Sequence, residues 1–314
     1  MWESFLVAFN AVGPFLVLLG IGALIVRFRV TDREFMDKVN QLNYRVAFPF
    51  MMFQNIYGAK PEDMPSLRLI FVGVGGVLVL ICVLMFAVPR IIRENPRRGT
   101  VIQAIFRSNF VVYGIPLTTY VFGQDKAAVT GVMSLIMVSL FNISSVAVLE
   151  YFRGTGKVKL KPLLLGILKN PLMQGCIVGL LFFALQIRLP SFIATPVSSL
   201  AGVASTVALL VLGAELRFND LRANKGVISG VLMIRLLVLP LVMLTVGWLV
   251  GLRGVELFLA LMIFGTPIAT ASYPIAQNMG ADGKLAGQLV FVSTVASLGT
   301  IFLFIYALSR LALI

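Results

Sequence analysis

Apolar positions along this chain of 314 residues do not alternate with polar ones at a strand or amphipathic-helix period. They come in blocks. Ten runs of roughly 18–25 residues, nearly free of charge, follow one another with short polar breaks, and each can cross a hydrocarbon layer of about 30 Å as an α-helix. Their limits fall near 4–26, 35–57, 69–89, 99–122, 127–152, 162–187, 191–216, 226–250, 254–279 and 285–309. The pattern predicts an all-α membrane protein of ten transmembrane helices. The second run, Phe35 to Tyr57, is the least apolar, because Asn40, Gln41, Asn43 and Arg45 lie inside it. That helix is expected to face protein or water rather than lipid.

Landmarks in the first half return about 157 residues later: Pro14 as Pro171, Gly22 as Gly179, Gly73 as Gly230, and Pro116 one step late as Pro274. The stretch from Gly123 to Lys126 returns as Gly280 to Lys284 with one residue added. Two repeats, 1–157 and 158–314, each with five spans, follow from that offset. Five is odd, so the second repeat enters the membrane in the opposite sense to the first. Inverted repeats of this kind are a mark of secondary transporters.

Composition agrees with this reading: 59% of residues are hydrophobic and 12% charged, which excludes a water-soluble domain. The net charge of +13 is parcelled out between the apolar runs instead of gathered on a polar domain, so it points to topology and not to nucleic acid. Loops on one side carry 16 Lys and Arg, those on the other side six. The richer side is expected to be cytoplasmic, which places a multi-pass protein in the cell's inner membrane with both termini outside. The first run is too long for a signal core and is followed by Arg27 and Arg29, so it reads as a retained helix. Cys82 and Cys176 stand apart in separate spans and read as packing residues.

Helix breakers concentrate in spans four and nine. The segment from Ser108 to Pro116 holds Gly114 and Pro116, and the segment from Gly265 to Pro274 holds Pro267 and Pro274. Proline removes a donor and clashes with the preceding turn, so each segment is expected to unwind at mid-membrane. Unwound backbone at that depth persists only where it is buried in protein or lines a wet cavity. Helix ends there offer carbonyls and amide donors to an ion. Asn109 is the first candidate for substrate contact, because its amide both donates and accepts. Tyr113, Thr266, Thr270 and Ser272 follow, while Gly114, Pro116, Pro267 and Pro274 are assigned to shaping the breaks.

Arg45 and Arg235 lie roughly ten residues inside their spans, about 15 Å by helical rise, and Arg107 precedes Asn109 by two. A cation at that depth costs on the order of 2.5–3.5 kcal/mol. It is offset either by an anionic substrate, which makes Arg45 and Arg107, and also Arg235, further binding candidates, or by snorkelling and by carbonyls freed in the broken helices. Asp125 and Asp282 each follow a glycine by two positions and open the next span, as helix caps do. The chain has no His, and its few acids lie near span ends, which leaves no metal cluster and no nucleophile–base pair. An enzyme is not expected, nor is a cofactor.

Several of these pieces together resemble the auxin efflux carrier family: Asn109 with Gly114-Ile115-Pro116, Leu212-Gly213-Ala214, Phe48-Pro49, and Pro267 with Tyr273-Pro274-Ile275-Ala276. The likeness covers essentially the whole chain. It implies a bile-acid-symporter-like fold, with a scaffold of helices one, two, six and seven and a transport part of helices three to five and eight to ten. Helices four and nine would cross at the substrate site and move in an elevator-like cycle. Family substrates are organic anions, either auxin-like acids or dicarboxylates such as malate and malonate.

Plant members have Pro-Asn where this chain has Ser108-Asn109. They also carry a long loop between the halves and an acid in helix three, both absent here. The expected function is a secondary transporter of a small organic anion, its partners that anion and membrane lipid, with a homodimer left open. A sodium-coupled bile-acid-like symporter and a channel or receptor are the alternatives. Coupling to Na+, to H+ or to the membrane potential alone also stays open.

Overall fold

The computed structural model of the chain describes residues 14, 17–57, 65–153, 165, 168–215 and 223–314. The join between the sequence halves, the loops carrying Lys60, Arg217 and Arg222, and the side chain of Asp125 lie outside the described residues. Within them the regular elements are helices. In order these are α1 (Val17–Arg27), α2 (Arg33–Arg45), α3 (Ala47–Tyr57), α4 (Leu67–Ile91), α5 (Asn95–Phe106), α6 (Phe110–Phe122) and α7 (Gln124–Arg153). They continue as α8 (Pro171–Ala184), α9 (Ser191–Glu215), α10 (Lys225–Val250), α11 (Val255–Gly265), α12 (Ser272–Asn278) and α13 (Gly283–Arg310).

Five of these are long and apolar enough to cross a membrane: α4, α10, α13 and the greater parts of α7 and α9. The protein is therefore a multi-pass membrane protein. Other helices come in pairs on either side of a short step: α2 and α3 at Val46, α5 and α6 at 107–109, α11 and α12 at 266–271.

Local chemistry explains many of the ends. Asp32 caps α2 by accepting from the Phe35 N–H, Asn170 caps α8 ahead of Pro171, and Asp282 caps α13 by accepting from the Leu285 N–H. Pro49 lies in the first turn of α3, where its missing donor costs nothing, but its ring would clash with the Arg45 carbonyl if α2 ran on. The helix therefore stops at Arg45. Two five-residue π-turns interrupt long helices, Phe71–Gly75 in α4 and Ile234–Val238 in α10.

Packing divides the helices into two groups. α8 and α9 pack on α2 and α3, and α4 to α7 pack with α10 to α13. α1 joins the first group through close backbone approach: a Cβ on Gly22 would stand 2.0 Å from the Leu210 carbonyl oxygen, and one on Gly213 2.0 Å from that of Leu19. Gly175 of α8 meets the Pro49 carbonyl of α3 in the same manner. Small residues allow such contacts where lipid supplies no hydrophobic drive between helices. A cluster including Phe48, Met52, Val146, Leu149, Cys176, Ala204, Ala271 and Ile275 fills the seam between the two groups.

Candidate functional site

The steps in α5/α6 and α11/α12 meet. Ser108 and Ile268 pair as an isolated antiparallel bridge, with the Asn109 N–H donating to the Pro267 carbonyl at 2.9 Å and the Ala269 N–H to the Arg107 carbonyl at 3.2 Å. The Ile268 N–H donates to the Ser293 hydroxyl of α13 at 3.2 Å. These bonds stand in for the helical ones that both segments forgo, as buried backbone requires. Pro267 accounts for the second step, since it ends α11 and holds Thr266 extended.

Arg235, buried in the π-turn of α10, reaches the same place. Its guanidinium donates to the carbonyls of Ile105, Ile263 and Thr266 at 3.0–3.1 Å, which lie at the C-terminal ends of α5 and α11. Helix ends leave such oxygens without intrahelical partners, and a cation is the natural complement.

Beside the crossing, in the seam between the helix groups, lies a cavity of about 140 Å³. Arg107, Ser108, Asn109, Ala269, Thr270 and Ala271 line it from the two steps, Val138, Phe141 and Asn142 from α7, and Met51, Met52 and Ser205 from α3 and α9. Arg107 is buried and held by α7: Nη1 donates to the Phe141 carbonyl at 3.2 Å and the Ser145 hydroxyl at 2.9 Å, and Nη2 to Asn142 Oδ1 at 2.6 Å. Its Nε has no partner among the described residues. The Asn142 amide nitrogen faces the sulfurs of Met52 and Cys176, which ties α7 to α3 and α8. The Ser108 hydroxyl, also buried, has no partner among the described residues either.

A family model described as membrane transport protein matches residues 7–305. The chain belongs to that family, which includes the auxin efflux carriers. The transporter is similar to an uncharacterized transporter of Methanothermobacter thermautotrophicus, 25% identical over 290 residues that cover 90% of this chain and 92% of the other. An uncharacterized transporter of Methanocaldococcus jannaschii is 23% identical over 297 residues, 90% and 93% of the two chains. A Rhizobium meliloti protein named "Putative malonate transporter" is 22% identical over 295 residues, 92% of each.

Of the side chains singled out in the transporter's sequence, Arg107, Asn109 and Thr270 line the cavity together. Thr266 and Ser272 are buried nearby but do not line it; the Thr266 hydroxyl turns back to the Met262 carbonyl. Tyr113 is buried on α6 with its hydroxyl toward Ser297 of α13.

Four of the singled-out residues lie apart from this cavity and from the two steps. Arg45 is exposed at the end of α2 and does not line the cavity. Gly114 and Pro116 lie inside the continuous helix α6, so the first step falls upstream of them, at 107–109, where the chain finds partners across the bridge. Pro274 sits in the first turn of α12, where a missing N–H is harmless, and so begins a helix instead of breaking one. Asn142, Ser108 and Ser205 were missed as cavity residues. A lone Asn in the apolar run of span five was the available signal, since polar side chains at that depth are costly without a role.

Proposed function

We propose that this membrane transporter is a secondary carrier for a small organic anion bearing a carboxylate, working in the cell's inner membrane by elevator-type alternating access. Arg107 is the observation that carries this reading. A guanidinium has five N–H donors, and α7 takes three of them, so Nε–H and one N–H of Nη2 remain. Two adjacent donors of one planar cation match the two oxygens of a carboxylate. Asn109 and Thr270 supply further polar contacts along the same wall. The cavity is small, about 140 Å³, which favours a short acid. The malonate named for the Rhizobium relative is one such acid.

The two helix groups suit an elevator: α1, α2, α3, α8 and α9 as scaffold, the others as the moving part, with the cavity in the seam. The fold is read as ten spans in two inverted repeats, 1–157 and 158–314. In its support, among the described residues each half holds one π-turn and one of the two steps that meet at the bridge. The test is reconstitution into proteoliposomes and uptake of labelled malonate, malate and indole-acetate under imposed sodium, proton and potential gradients. Saturable uptake with counterflow is expected. Flux that neither saturates nor exchanges would mean a channel.

A further inference from the structure

Arg235 sits where a bound cation would sit. Its guanidinium is 0% exposed, and its four hydrogen bonds all end on main-chain oxygens: one from Nη1 to Ile105, one from Nη2 to Ile263, and one each from Nε and Nη2 to Thr266. These oxygens are the free carbonyls at the C-terminal ends of α5 and α11, and Pro267 is what releases that of Ile263. Two negative helix poles therefore meet at the crossing, beside the two positive poles that begin α6 and α12. Left alone, the four poles would largely cancel. With a positive charge fixed on the negative pair, the crossing is left net positive.

A group of main-chain oxygens converging on one positive charge, at the ends of interrupted helices, is how transporters hold a mobile monovalent cation. Here the charge is tethered. The π-turn Ile234–Val238 presents it, whereas the π-turn Phe71–Gly75 of α4 has no charged residue. One extra residue per turn re-aims a side chain, which is why such turns gather at functional sites.

We infer that Arg235 is a built-in cation occupying a carbonyl site for a monovalent cation, so that transport needs no sodium and removal of the side chain opens the site to guanidinium or sodium from solution. The transport half of this rests on the anion-carrier reading above; the cation site itself does not. Asn109 and Arg107 keep their own positions, and Arg235 acts on the anion only through the crossing, as a positioning residue.

The experiment compares melting of the full-length wild type and Arg235→Ala in choline, sodium and guanidinium chloride at equal millimolar ionic strength, below any denaturing concentration. The wild type is expected to melt alike in all three. Arg235→Ala should melt lower in choline and be raised by several degrees, saturably, by guanidinium and less so by sodium. A variant indifferent to both cations, or a wild type that sodium stabilises equally, would overturn the inference. Should the alanine variant not fold, Arg235→Gln takes its place, with the same cation dependence expected as slowed amide exchange across residues 105–110 and 263–269; exchange blind to cations overturns it. Malonate uptake by the wild type in sodium-free medium is the transport arm. A strict sodium requirement there counts against a built-in cation, whereas no malonate uptake under any gradient counts only against the substrate, and the melting curves then decide the cation site by themselves.

Discussion

Arg107→Gln should raise the half-saturation concentration for the transported anion by about 10- to 150-fold and leave the melting temperature near that of the wild type. The two donors of Arg107 not engaged by α7 are the pair that would meet a carboxylate. The Gln amide can still supply one donor, so one hydrogen bond to the carboxylate is lost, about 1.5–3 kcal/mol, and about 1.4 kcal/mol is a factor of ten, which gives the stated range. Stability changes less because two effects oppose. Three bonds from this charged group to α7 are lost, at about 1.5–3 kcal/mol each, and water in the cavity together with the Gln amide replaces part of them. Against that, a buried cation with no carboxylate partner is removed, which relieves on the order of 2.5–3.5 kcal/mol on insertion scales.

Arg107→Lys keeps the charge but not the planar pair of donors, so its half-saturation should fall between the two. The assay is initial uptake rate against concentration in proteoliposomes, for whichever of malonate, malate and indole-acetate the wild type carries. If half-saturation stays at the wild-type value while the maximal rate drops, Arg107 only braces α7 against the step, and the assignment of its free donors to the substrate is wrong.

Asn109→Ala is expected to abolish uptake without lowering the melting temperature, because the main-chain bond from Asn109 to Pro267 survives the change and only the side chain lining the cavity is lost. Normal transport by this variant would remove Asn109 from the site. Gly213→Ala and Gly175→Ala would set a Cβ 2.0 Å from the Leu19 carbonyl oxygen and 2.3 Å from that of Pro49, contacts that backbone cannot relieve by a rotamer change. Each is expected to cost about 1–3 kcal/mol, as overpacking does. Gly202→Ala on the same helix α9 meets nothing within 4 Å and should be neutral or stabilising by up to about 1 kcal/mol. Thermal melting of the three variants side by side checks this, and equal melting points would contradict the close approach of the helices.

Some of the architecture was legible in the chain because its cause is local. A run of some twenty apolar residues must satisfy its backbone internally in lipid, which forces a helix wherever the run occurs. Pro267 ends α11 through a ring and a missing donor that act within four residues, and Asp282 caps α13 through a carboxylate that reaches three residues ahead. The step at 107–109 has no such cause. It contains no proline or glycine, and it unwinds where Ser108 finds Ile268 across the bridge and α7 holds the Arg107 guanidinium. Gly114 and Pro116, the local breakers nearby, sit in a helix that stays intact.

The arginines inside the spans divide the same way. Counting along the chain puts Arg45, Arg107 and Arg235 at mid-membrane depth and says that each charge must be offset, because charge at that depth is costly whatever the fold. Which partner offsets it depends on what the other helices bring alongside: nothing but the surroundings for exposed Arg45, the polar groups of α7 for Arg107, and the carbonyl ends of α5 and α11 for Arg235. Local chemistry therefore determined the spans, the caps and the second step, and the tertiary structure alone decided the first step, the site's lining and the place of its charges. The reason is one of range: apolar burial and proline act on their own few residues, whereas a cavity is made by side chains from segments that meet only when the helices pack.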